Sequence, residues 1–507
     1  MSRCGRWQGV CGALVAVVAV VLLTGASPRR EKPLEATLRA HIATLASDDF
    51  QGREPGTDGE TKALRYLARQ WFDIGLESGT NDPGHAWFAP VDLVERTPLG
   101  SRAVFMRGKR RVIAPEGQVY VVTSGIRSLV ESAPVLFVGH GTGAVPARPE
   151  LSGRIALMLD SLPPGVTADQ APDRQGRLLD GGAAAVITVL DDTRTIDGVV
   201  ARRQRSGYAL AGDRLGSDIE AFVSPALAQQ MLAAGDTLAG LRGRAEAKVF
   251  VPALIGMTAT LEATSKETRI HTHNLIGKLE GRDPSAGAVL VVAHWDHFGI
   301  CATPPAEDLI CNGAIDNASG LAVITEAARA LSSGRPLDRD VYFLATTGEE
   351  LGLLGAQAFA ENPPVPLASI VAAFNVDSDA LVPAGRPVAI IGRGMTGLDP
   401  EIEKVVRQMG KKLASGDAAN AFARRQDSWA LLQHDIPAVM VSTSYSDMER
   451  VDRFMETTYH RPSDELRPDL DLGGAADDVA LQVALVRDFA DVKRYPGKIV
   501  RVVPGKR

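Results

Sequence analysis

The chain has 507 residues, 23% charged and 45% hydrophobic, with a formal net charge of −6. That length accommodates two or three domains, each with its own core. With no basic block, the acidic balance argues against nucleic acid as a partner.

The N-terminus has the pattern of a secretory signal. Arg3 and Arg6 precede an apolar stretch, residues 10–23, and Thr24-Gly25-Ala26 offers a small-residue cleavage site. The stretch is shorter than the roughly 20 residues of a spanning helix. The expectation is a secreted or periplasmic protein lacking residues 1–26, with no stable membrane insertion; an uncleaved anchor is the alternative. Cys4 and Cys11 leave with that segment, and Cys301 and Cys311 remain. In an exported protein two cysteines this close are expected to pair. Free thiols or extra metal ligands are the other reading.

Residues 33–75 read as helical. Leu38, Ile42 and Leu45, then Leu64, Leu67 and Trp71, recur at helical spacing around a Gly-rich loop, residues 52–59. Arg53 in that loop is expected to tie it to the body of the protein. Residues 101–255 change in texture. Short strands over 118–123, 133–138, 154–159 and 184–189 alternate with Gly-, Pro- and Asp-rich turns, with one helix near 174–182. This segment reads as an inserted β-rich module, and its His140, Asp191 and Asp192 as turn or surface residues.

From residue 256 to 495 strands and helices alternate, the pattern of an α/β domain. Helices are expected over 320–331, capped by Asn317 or Ser319, and over 355–361, 400–412 and 476–492. The segment 27–100 reads as the first part of the same domain. The basic tail, 496–507, reads as frayed.

Three short polar signatures interrupt apolar runs in this last region. His294-Trp295-Asp296-His297 follows residues 288–293, a Gly/Ala-framed Asp316-Asn317 opens a helix, and Gly348-Glu349-Glu350 follows residues 341–345. Asp377 follows a third run, 370–376, and Tyr459-His460 lies further on. Five- or six-residue apolar runs read as buried parallel strands. Open α/β sheets place ligand sites beyond the C-terminal ends of such strands. His, Asp and Glu converging there, with no cysteine cluster, point to a divalent metal such as zinc. Asp296 is two residues from His294, able to orient its imidazole by hydrogen bond or charge. Asp316 can bridge two cations. Of Glu349 and Glu350, one can ligate while the other serves as a base.

On these signatures the sequence resembles the co-catalytic zinc aminopeptidases, relatives of glutamate carboxypeptidase and the transferrin receptor. The resemblance covers residues 35–98 and 256–490. The intervening segment, through residues 133–139 and 182–189, resembles the protease-associated domain. The resemblance implies a mostly parallel central sheet flanked by helices and two Zn2+ ions per chain. His294 and Asp377 would hold one ion, Glu350 and His460 the other, and Asp316 would bridge them. Glu349 would be the general base, Asp296 the support of His294, and Tyr459 a donor to the substrate carbonyl. A cis peptide is implied at Asp316–Asn317.

Two departures are visible. Many relatives have Asp-His where this chain has Asp427-Ser428, and residues 445–458 form a longer segment than in compact members. The implied activity is release of N-terminal residues from peptides. Carboxypeptidase or dipeptidase action, glutaminyl cyclisation and a non-catalytic binding role are the alternatives. Oligomeric state is not legible.

Overall fold

A computed structural model describes residues 32–167, 170–203, 206–213 and 216–497. The signal segment, with Cys4 and Cys11, lies outside the described residues, as does the tail from residue 498. Among the described residues no helix is long and apolar enough to cross a membrane.

One mixed sheet runs through the described chain. Ala389–Ile391, Ala438–Ser442, Ile370–Asn375, Ala288–His294 and Asp340–Thr346 lie side by side in that order. The long strand Ala253–Leu279 follows. Beyond it come Arg127–Phe137, Ile155–Leu159, Ala185–Val189, Ile219–Val223 and Val119–Thr123. Strands 288–294, 340–346, 370–375 and 438–442 are mutually parallel.

Burial explains the apolar runs. Every residue of Ala288–His294 and Asp340–Thr346 is buried. Val289, Val291 and Ala293 face one core, under the helices Pro33–Leu45, Asp58–Ile74, Gly320–Ser332 and Gly473–Phe489. Leu290 and Val292 face the other, with Ala356 and Phe359 of Leu354–Glu361 and with Ala430 and Leu431. Successive side chains of a strand point to opposite faces, so a sheet covered on both sides confines polar residues largely to the ends of its strands, such as Asp340, Thr346 and His294.

The expected helices are found, most with ends shifted by one to four residues: Gly320–Ser332, Leu354–Glu361, Asp399–Gln408 and Gly473–Phe489. Gly320 is capped by Asn317, whose Oδ1 accepts its N–H at 3.0 Å. Ser319 does not cap; its hydroxyl donates to Ile315 O instead.

The 101–255 segment holds a second core, built on Phe137, Leu157, Ile187 and Val223 among others. It is less purely β than its turns imply. Its four strands from 127–137 to 219–223 run parallel and helices such as Arg174–Asp180 and Pro225–Met231 accompany them. Nor does the backbone break at residues 101 and 255. The antiparallel strands Phe88–Arg107 and Ala253–Leu279 run through both positions. Their ladder, with one register shift at Thr264/Ser265, carries the sheet from one core to the other.

Candidate metal centre

The parallel register assembles the site. His294 pairs with Thr346, and Val292 with Asn375. Three chains therefore leave the sheet at one edge, carrying His294, Glu349-Glu350 and Asp377. The loop Gly313–Ser319 closes over that edge with a cis peptide at Asp316–Asn317. His460 arrives just after the helix Met448–Thr457, which occupies the long 445–458 segment.

Asp316 stands between two imidazoles. Its Oδ1 lies 3.2 Å from His294 Nε2 and its Oδ2 lies 3.4 Å from His460 Nε2. His294 Nε2 is also 3.6 Å from Asp377 Oδ1 and 4.0 Å from Glu349 Oε2. His460 Nε2 is 2.9 Å from Glu350 Oε2. Sequence therefore named five groups that the fold brings to one centre, with Glu349 beside them.

The donor set fits cations. His294 Nε2, His460 Nε2 and Asp316 Oδ2 are buried, yet none has an aligned hydrogen-bond partner among the described residues. Groups this close without alignment are arranged around shared centres rather than around one another. His294, Asp316 and Glu350 offer ligand atoms within 4.8 Å of each other, and so do His294, Glu349 and Asp377. Imidazole nitrogens with carboxylate oxygens suit zinc and similar borderline cations. Four carboxylates buried together need such compensation.

Asp296 holds a different contact from the one expected. His294 Nδ1 is 3.1 Å from the main-chain carbonyl of Asp296, while the Asp296 carboxylate is 3.9 Å away. That carboxylate instead accepts the N–H groups of Glu349 at 3.2 Å and Glu350 at 3.4 Å. It fixes the Glu-Glu turn and acts on His294 by charge. Burial raises its pKa to about 7, against the lowering effect of His294.

Glu349 is shifted in the opposite direction from Glu350 and Asp316. Burial pushes its pKa well up, and the nearby Glu350, Asp427 and Asp377 add to this against His294. Tyr459 stacks on His460 with ring centroids 3.5 Å apart. Burial, followed by Asp316, Glu350, Glu349 and Asp377, keeps its hydroxyl protonated. Asp427, from the departing Asp-Ser pair, lies beneath the site and accepts the Thr346 hydroxyl at 2.5 Å.

Arg53 ties its loop to the body, as expected. It is fully buried and donates to the carbonyls of Leu45, Trp295, Asn312 and Gly313. Cys301 and Cys311 are disulfide-bonded, with Cα atoms 5.7 Å apart.

Sequence reasoning missed three groups. Asp464 accepts the N–H groups of Ile315 and Asp316. His297 binds Glu350. Tyr445, 3% exposed, faces Asp377 and Asp316. His297 and Asp464 lay inside quoted signatures, so proximity to ligands was the available signal. Tyr445 carried none.

Residues 274–484 match the family model for Peptidase family M28. Over that region the chain is similar to peptidase family M28. The alkaline phosphatase isozyme conversion protein of Escherichia coli (strain K12) is 33% identical over 103 residues. The match covers 18% of this chain and 29% of that relative, so the shared stretch is under a third of the relative's length. The aminopeptidase from Aneurinibacillus sp. strain AM-1 superposes with a TM-score of 0.54 at 19% identity, over 90% of this chain and 93% of that one. That likeness extends the shared fold beyond the M28 region to nearly the whole described chain. BSAP, a zinc aminopeptidase from Bacillus subtilis, gives 0.45 at 17% identity, over 90% and 96%.

Proposed function

We propose that this protein is an exported dinuclear zinc aminopeptidase. The observation that carries the reading is Asp316, whose two oxygens face His294 and His460 separately. His294 and Asp377 would hold one zinc, Glu350 and His460 the other, and Asp316 both. Bound there, the pair supplies Lewis acidity and makes water acidic enough to react near neutral pH.

The protein's own groups do the rest. Glu349, buried and with raised proton affinity, takes the proton of the attacking water and returns it to the leaving amine. Its neighbour Glu350 is occupied by His297 and His460 and is not free for that task. Asp296 keeps the two glutamates in their divergent turn. Tyr459, held neutral, donates to the carbonyl oxygen as charge develops there. The 101–255 segment fits a protease-associated module beside the cleft, and residues 1–26 an export signal.

Carboxypeptidase or dipeptidase action is the second reading, and one observation favours it. The Arg425 guanidinium lies 5.2 Å from the ring centroid of Tyr459, the proposed carbonyl donor, and a guanidinium can bind a carboxylate through two N–H groups. Aminoacyl-anilide hydrolysis with and without chelator tests the first reading. Chelator-sensitive release supports it; no release from any aminoacyl-anilide sinks it. Turnover of amino-blocked but not carboxy-blocked dipeptides would establish carboxypeptidase action, and turnover of free dipeptides alone would establish dipeptidase action.

A further inference from the structure

The two halves of the site have separate supports. In the His294/Asp377 half, Asp377 Oδ1 takes the Ser378 hydroxyl at 3.0 Å and His294 Nδ1 rests on the Asp296 carbonyl. In the other half, His297 Nδ1 lies 2.6 Å from Glu350 Oε1, with the His297 side chain fully buried. The imidazole N–H donates and the carboxylate accepts. Glu350 is thereby divided: Oε1 is tied to His297, and Oε2 faces His460 at 2.9 Å.

The His297 ring is itself clamped. Its main-chain N–H donates to Arg53 O at 3.3 Å. On one side it meets Gly313, where a Cβ would come within 2.7 Å of His297 Cδ2; that residue's φ of +58° also favours glycine. The next residue, Phe298, packs edge-on against the His460 ring with centroids 4.4 Å apart. One dipeptide therefore braces both Glu350 and His460. Partners that fix a ligand's orientation typically change metal affinity 10–100-fold when removed.

We propose that His297 is the positioning residue of the Glu350/His460 half, and that without its hydrogen bond the protein retains one cation firmly rather than two. The inference rests on the dinuclear reading of the site. His297 lies outside the ligand set and acts through Glu350, its ring also meeting the His460 ring edge-on with centroids 5.8 Å apart.

The test is zinc content and zinc affinity of the full chain, read by elemental analysis after dialysis and by competition with a chromogenic chelator. His297→Leu removes the donor at similar volume. His297→Gln moves a donor to the wrong end of the side chain. His297→Asn restores one near the Nδ1 position. Expected are two zinc ions in the parent and in His297→Asn, and one in His297→Leu and His297→Gln, with the second site weakened about 10–100-fold. Fewer than two ions in the parent overturns the dinuclear reading itself. Two ions in the parent with unchanged affinity in His297→Leu and His297→Gln overturns this inference alone. Loss of both ions in either variant, or failure of His297→Asn to rescue, also overturns it. Should His297→Leu fail to fold by circular dichroism, the Gln and Asn pair decides.

Discussion

Asp464 holds Asp316 by its backbone. One carboxylate oxygen accepts the Asp316 N–H at 3.0 Å and the other the Ile315 N–H at 2.9 Å, all buried. Two donors in the first turn of Ala314–Ser319 are thereby satisfied. Burial raises the Asp464 pKa to about 6, and its own hydrogen bonds from Asp316 and Ile315 limit the rise. Asp464→Ala leaves both N–H groups unpaired. The expected cost is about 2–4 kcal/mol, read by denaturant unfolding, with zinc content lowered as well. Asp464→Asn keeps one acceptor and should cost about half as much.

Glu349→Gln should keep the zinc content of the parent and lower kcat by about 10²–10⁴-fold, the range for a lost general base. The amide preserves shape but cannot take a proton. Elemental analysis beside steady-state kinetics checks both halves of the expectation. A fully active variant removes Glu349 from the base role.

Arg53 should tolerate no replacement. Its planar fork serves four carbonyls from three segments, including Asn312 and Gly313 beside the bridging loop. A lysine ammonium cannot span them. Arg53→Lys and Arg53→Met are each expected to cost at least about 3 kcal/mol, measured by chemical denaturation of the cation-free protein.

The disulfide closes a short loop between His297 and Asn312. Loop closure over this length is worth about 2–3 kcal/mol. Cys301→Ser with Cys311→Ser should lower the unfolding midpoint by that free energy. An unchanged midpoint on adding reductant to the parent would count against it.

Cation binding should be pH-dependent in a definite direction. Burial disfavours charge on His460, but the Asp316 and Glu350 carboxylates outweigh it and lift its pKa to about 9. Below that value the cation-free ring carries a proton that binding must displace. Apparent affinity of the Glu350/His460 half should therefore rise with pH, by up to about tenfold per unit, and level off above about 9. Proton release on zinc addition, measured in weak buffer at pH 7, is the companion signal.

Much of this was written along the chain. Runs such as residues 288–293 and 341–345 announce buried parallel strands because both sheet faces are covered and polar residues are confined largely to the strand ends. The polar signatures that end them follow, since only the exits of such strands reach a cleft. His294, Glu350 and Asp377 were nameable as candidates on that basis, whereas Asp316 and His460 end no such strand, and the ligand set as a whole came from the family resemblance. Asp296 was nameable too, but its partner was not: whether its carboxylate reaches an imbedded imidazole or two N–H groups depends on how a turn 53 residues later folds back. The same holds for the 101–255 boundary, because a strand that runs unbroken through two cores leaves no mark in composition.

Local order in this protein, strands, helices and the residue types at their ends, was determined by the sequence read alone, because periodicity and short-range sterics act over a few neighbours. The supports came only with tertiary structure: Asp464 under Asp316, His297 behind Glu350, Arg53 across three segments. Apart from the Arg53 bond to Leu45, each joins residues separated by tens to hundreds of positions, and hydrogen bonds of about 3 Å are decided by where backbones come to rest, which no local pattern encodes.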